Sequence, residues 1–180
     1  GRYLLARLST PAEGAATFSL VQRTPRGDTE LASVPVPCER RRWYRLGLRA
    51  TSGVLEGVLD DQTVLSVPGV DLVGGVVGMY VLDGKAQFDD VCASPWHGTA
   101  RPASGWGPWE WNLAGGAWSH EHGEQEALKA SAPEAAAALT IDDAYANGRL
   151  EADVKPAVGS SAGLLIRCRT ANEGIAAVLT

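Results

Sequence analysis

Carboxylates, histidines and tryptophans are the side chains of this chain whose spacing could do chemistry. Asp89 and Asp90 are adjacent in the run Phe88-Asp89-Asp90-Val91. Neighbours on a strand face opposite ways, so one of the pair points to solvent or a loop cation and the other toward neighbouring backbone. Asp142-Asp143 with Asn147 is a second oxygen-rich stretch, without the dense D-x-[DN]-x-[DN]-G array of a committed calcium loop. Both pairs read first as residues that tie down a turn or a neighbouring strand. Glu151 and Asp153 stand two apart, which on a strand puts both carboxylates on one face, where a nucleophile and an acid/base can be paired. Val154-Lys155-Pro156 follow, so no third acid extends the series. His120-Glu121-His122 offers alternate imidazoles but implies no third metal ligand, and reads as an exposed loop; His97 stands alone.

Trp96, Trp106, Trp109, Trp111 and Trp118 crowd into one region of the chain. Indole faces stack on sugar rings and the ring N–H adds orientation. Trp106 and Trp109 lie in a Gly/Pro setting and form the candidate ligand-binding pair. Gly74-Gly75-Val76-Val77-Gly78 has no Lys-Ser/Thr after it and enters a strand pattern, so it is not a phosphate loop. Cys38, Cys92 and Cys168 are widely spaced, without metal spacing. Free buried thiols are the first reading, and one disulfide with a leftover thiol the second. The net charge of −5 argues against nucleic acid as a partner. Glu39-Arg40-Arg41-Arg42, the only dense basic cluster, reads as the solvated start of a strand. No apolar stretch approaches the ~20 residues of a membrane span, so no membrane insertion is expected.

These groups must be positioned by strands. Residues 2–9, 17–23, 30–36 and those beginning at Trp43, Val54, Gln62, Val76 and Gln87 are short, rich in apolar and β-branched residues, and separated by turn signals. The turns include Ser52-Gly53, Asp60-Asp61 and a predicted Asp83-Gly84 hairpin. Strands at this spacing mark a sandwich or barrel. Residues 94–108 hold Pro, Gly and small polar residues and read as a linker. Beyond it, 148–154 alternates with Leu150, Ala152 and Val154 on one face, and 163–169 with Leu164, Ile166 and Cys168. Ala127–Ala138 is alanine-rich, but Ser131-Ala132-Pro133 breaks a helix, which leaves strand or loop. Apolar residues make up 45% of the chain, enough for a true core.

Trp43-Tyr44-x-Leu46, then Leu59-Asp60-Asp61, then Gly75–Tyr80 and Phe88–Val91 occur in order. Together they resemble the C-terminal half of concanavalin A-like, laminin-G-like jelly rolls; the usual hairpin glycine after Asp60 is missing. Trp111, Gly116-Ala117-Trp118, Ala127–Ser131, Gly148–Val154 and Gly163–Arg167 resemble the N-terminal half of the same family. The resemblance implies core positions for Trp43, Trp111 and Trp118, and glycan or protein ligands. It also implies calcium held on the rim through carboxylates such as Asp89 and Asp90. Fold-related glycosidases carry a third acid beyond the Glu-x-Asp pair. The sequence lacks it, which leaves a divergent glycoside-processing enzyme of the keto-disaccharide hydrolase kind as the alternative to a non-catalytic module.

The order is thus a C-terminal half (1–93), a linker (94–108) and an N-terminal half (109–180). Tyr3–Leu8 and Ile175–Leu179 match the same family strand, as in a tandem repeat. Two incomplete sandwiches would leave sheet edges and an apolar face exposed. The expectation is therefore one all-β, antiparallel two-sheet jelly-roll sandwich closed in circularly permuted order. Gly174–Thr180 would then compete with Gly1–Leu8 for one sheet position. The chain opens at Gly1 and runs straight into a strand pattern, so no signal peptide is expected in it. The module is expected to belong to a larger extracellular or envelope-associated protein.

Overall fold

Alternation of core and surface residues decides this architecture, strand by strand. The computed structural model describes residues 3–37, 39, 41–70, 75–95, 101–102, 111–121, 127–140 and 148–168, and those residues are strands and turns without a helix. In chain order the strands are β1 (Tyr3–Thr10), β2 (Ala16–Thr24), β3 (Gly27–Val36), β4 (Tyr44–Thr51), β5 (Val54–Leu59), β6 (Gln62–Val67) and β7 (Val76–Pro95). Then come β8 (Arg101–Pro102), β9 (Trp111–Ala114), β10 (Ala117–Glu121), β11 (Ala127–Thr140), β12 (Gly148–Pro156) and β13 (Ser160–Cys168). Every ladder is antiparallel.

The main strand order is β3-β2-β1-β13-β7-β12-β4-β5-β6. This path doubles back on itself: a first layer, β3-β2-β1-β13 with the start of β7, faces a second, the rest of β7 with β12-β4-β5-β6, so that β1 and β2 approach β4 and β5 face to face, while β3 and β6 approach at its two ends without a ladder. The result is a nearly closed, sandwich-like all-β shell. Its inner face is one apolar core: Leu4, Ala6 and Leu8 of β1 oppose Leu46 and Leu48 of β4, with Leu150, Ala152 and Val154 of β12 and Leu164 and Ile166 of β13 beside them. Phe18 of β2 is fully buried over Gly57 of β5, where a Cβ would come within 2.8 Å of the ring.

The two portions of the chain share ladders throughout. β13 lies between β1 and β7, with Leu4 opposite Ile166 and Met79 opposite Leu164. β12 lies between β4 and β7, and β11 runs along β7. The C-terminal strands therefore occupy central positions, and the shell closes only with them.

Asp83-Gly84 is not the hairpin predicted for it. Val76–Leu82 and the residues after Gly84 do not pair with each other; they form one long bent strand that pairs with β13 before the bend and β12 after it. A strand central to the path cannot turn back on itself without losing its neighbours. Asp83 (φ 53°) and Gly84 (φ 151°) absorb the bend, and Gly84 leaves room for Ser160, whose Cβ would lie 2.5 Å from an added methyl. β12 and β13 make the same crossing through Ala157–Gly159. Thr10 hydroxyl donates to Ala157 O (2.7 Å) and Ser160 hydroxyl donates to Lys85 O (3.0 Å). Ala157 N–H also donates to Lys85 O (2.8 Å), which locks the two crossings together.

The strand-or-loop reading of Ala127–Ala138 resolves as strand, and the linker reading changes. β11 runs through Pro133, with a bulge between Ala132 and Ala135 in its pairing to β7. The stretch read as a linker begins inside β7, and Arg101–Pro102 pairs with Ala93 and Cys92, so those parts belong to the sheet. Residues 96–100 and 103–108 lie outside the described residues, as do 169–180, so the competition between the two chain ends does too. The Leu59–Gln62 hairpin works without its glycine because Asp60 (φ 49°) and Asp61 (φ 65°) take the two positive φ angles of a primed turn.

Candidate functional site

At the locked crossing, the outer face of the second layer carries a cleft. Three adjacent strands set it: Lys129 of β11 is the register partner of Gln87 of β7, which is in turn the partner of Lys155 of β12. Alternation turns the flanking residues Leu128, Ala130, Ala86, Phe88 and Val154 into the core, so the Lys-Gln-Lys row faces outward. Lys85, two residues before Gln87, extends the row, and Arg41 reaches the cleft from the segment before β4. Ala86, Pro156, Ala157 and Val158 supply apolar lining. The cleft measures about 460 Å³, within the range of small-molecule sites.

Its electrostatics run against those of the whole chain. Four cationic side chains line it, and no carboxylate is among its described lining residues. Lys85 and Arg41 make no ion pair among the described residues. The Lys155 ammonium lies 4.7 Å from the centroid of the Trp43 ring, a cation–π contact that fixes the long side chain at the cleft wall. Trp43 is half-buried just before β4 and is not part of the core cluster, in contrast to the position the family resemblance implied.

Next to the cleft on the same face, Glu151 and Asp153 do project together, as their spacing predicts, but arginines hold both. Arg45 Nη1 lies 3.2 Å from Asp153 Oδ1, and Arg49 Nη2 3.4 Å from Glu151 Oε1. Arg149 Nη1 and Arg45 Nη2 approach Glu151 at 3.8 Å and 4.0 Å. Each carboxylate is thus spent on neighbouring strands, and the group knits β4 to β12.

Asp89 and Asp90 lie where β7 shifts register against β12, with two residues opposite one. Asp89 Oδ1 accepts the Asp90 N–H at 2.8 Å, and Asp90 takes φ 45°. Calcium takes six to eight oxygens. Among the described residues no three His, Cys, Asp or Glu side chains converge, so these two supply a lock on the bulge and only a small part of a calcium shell.

Trp106 and Trp109, Asp142, Asp143 and Asn147, His97, His122 and Cys38 lie outside the described residues. His120 and Glu121 belong to β10, not to a loop. Trp118 packs against the core with its ring stacked on Phe88, centroids 6.4 Å apart. Cys92 is half-buried and forms no disulfide among the described residues.

The cleft's lysines were not among the sequence candidates. Their outward positions are legible as the polar members of alternating strands, but the register that aligns β11, β7 and β12 is not. No helix among the described residues is long and apolar enough to cross a membrane. No protein-family model and no curated protein matches this chain.

Proposed function

We propose that this domain is a non-catalytic recognition module, binding a carbohydrate or protein ligand within a larger extracellular or envelope-associated protein. The observation that carries the reading is the cleft at the layer crossing, where polar donors converge around a largely apolar lining on a rigid scaffold. The concanavalin A-like, laminin-G-like resemblance supports it. The alternative, a divergent glycoside-processing enzyme, needs a carboxylate pair free to attack and to move a proton. Glu151 and Asp153 are the pair in position, and the arginines that hold them favour binding over hydrolysis.

Val158 is 47% exposed at the cleft, so Val158→Trp fills the space without entering the core. Wild type is expected to be retained by members of a glycan array or a panel of extracellular proteins, and the variant to lose that capture. Capture that survives Val158→Trp but fails in the Trp106→Ala/Trp109→Ala variant would move the site to the tryptophan pair and contradict the cleft reading.

A further inference from the structure

Taking the cleft as the recognition site, we infer that its ligand is an anionic saccharide, read through Arg41, Lys85, Lys129 and Lys155. Four cations line one cleft of a chain whose net charge is −5, and two of them, Arg41 and Lys85, have no carboxylate partner among the described residues. Like charges brought together cost free energy unless a counter-charge joins them. The adjacent face shows the contrast: there the arginines are matched by Glu151 and Asp153, whereas the cleft lining holds no described carboxylate. An anionic ligand supplies the missing partner.

The mode of recognition selects among anions. A peptide that binds as an added strand needs an open ladder edge. β11 is paired on both sides by β10 and β7, and β7 by β11 and β12; β12 pairs with β4 only as far as Val154, which leaves at the cleft a two-residue edge, Lys155 and Pro156, whose proline has no N–H to donate. A peptide backbone finds no ladder there, and an amphipathic helix would have to lay its apolar stripe among four cationic side chains. Single-stranded nucleic acid needs aromatic platforms. Among the described residues, Trp43 is the aromatic ring in contact with a cleft residue, and Lys155 already covers its face. A sugar fits what is left. Its carboxylate or sulfate groups meet the ammonium groups, its hydroxyls meet Gln87, and its apolar ring face rests on Pro156, Ala157 and Val158.

The test is calorimetric titration of wild type with a carboxylated oligosaccharide (oligogalacturonate), a sulfated one (a heparin-derived fragment), the methyl ester of the first, and polyglutamate. At least one of the two charged saccharides is expected to bind, and the stronger identifies which acid group is read. Rising salt should weaken it, and the neutral ester should bind at least about tenfold less tightly. Lys85→Gln/Lys155→Gln should lose about tenfold or more, with an unchanged melting temperature showing an intact fold, while Arg26→Gln, in the remote β2–β3 turn, keeps full affinity. Equal binding of the neutral ester, with sensitivity to Val158→Trp, would overturn the anionic inference and leave the recognition reading standing. Polyglutamate bound more tightly than either charged saccharide would overturn the saccharide. No binding of any saccharide, charged or neutral, would overturn the anionic-saccharide inference, and capture of a protein from the panel, lost in Val158→Trp, would show the recognition reading surviving without it.

Discussion

Tyr80 shows how much a single buried atom can set. Its ring belongs to a second apolar cluster, with Tyr3, Leu5, Val21 and Leu165, on the outer face of the first layer. Its hydroxyl is buried without a hydrogen-bond partner among the described residues. Burial, the largest cause, pushes that hydroxyl above the ordinary tyrosine range, and the nearby Arg7 only partly opposes it. A folded-state value raised above the unfolded one gives stability that is present below the unfolded value and lost as pH rises past it. The protein should therefore lose stability above about pH 10. Tyr80→Phe should remove the Tyr80 share of that loss and, by deleting an unsatisfied hydroxyl, stabilise by about 1 kcal/mol at neutral pH. Urea unfolding at neutral and alkaline pH reads both effects; a loss of stability in Tyr80→Phe at neutral pH would show that the hydroxyl has a partner. At this scale the sequence was partly legible. Leu150, Ala152, Val154, Leu164 and Ile166 reach the core as their alternation predicts. The side chains that line the cleft were invisible, because what makes them a site is their neighbours on other strands. Lys129 and Lys155 each look like an ordinary solvated strand residue until Gln87 is placed between them.

The strands themselves were easier to read than their connections. Turn signals separate them, and Ser52-Gly53 and Asp60-Asp61 fall at the hairpins predicted for them. Asp83-Gly84 carries the same local signal and does something else. A turn dipeptide says only that positive φ is accessible; whether the strand reverses or bends depends on which partners flank it. Close approach between strands is equally invisible locally, and Gly163 is the sharpest case. A Cβ there would collide with Ala6 O, on the β1 backbone, whereas one at Gly57 would meet the Phe18 side chain at 2.8 Å. Backbone cannot move aside as a ring can. Gly163→Ala should cost about 3 kcal/mol and Gly57→Ala about 1 kcal/mol, measured by urea unfolding. The reverse ranking, or a neutral Gly163→Ala, would contradict the β1–β13 ladder.

At the scale of the whole molecule, the closed shell and the cleft are one fact. The crossing that carries the path from the first layer to the second joins Lys85 of β7, Thr10 of β1 and Ala157–Ser160 between β12 and β13. Arg41, Lys85 and Gln87 come from one portion of the chain; Lys129, Lys155 and Val158 come from the other. Neither portion holds the site alone, which is why no single motif announced it. The antiparallel class was legible because strand spacing and turn chemistry are local. The layer crossing was not, because it depends on contacts between residues as far apart as Thr10 and Ala157. The most direct measurement is a backbone amide NMR titration of the intact protein with the charged oligosaccharide that binds. Shifts should appear together at Lys85–Gln87, at Lys129 and at Lys155–Val158, saturating with a single dissociation constant. Shifts confined to one portion of the chain, or centred on the Tyr3–Tyr80 face while the cleft amides stay still, would contradict a ligand site built from both.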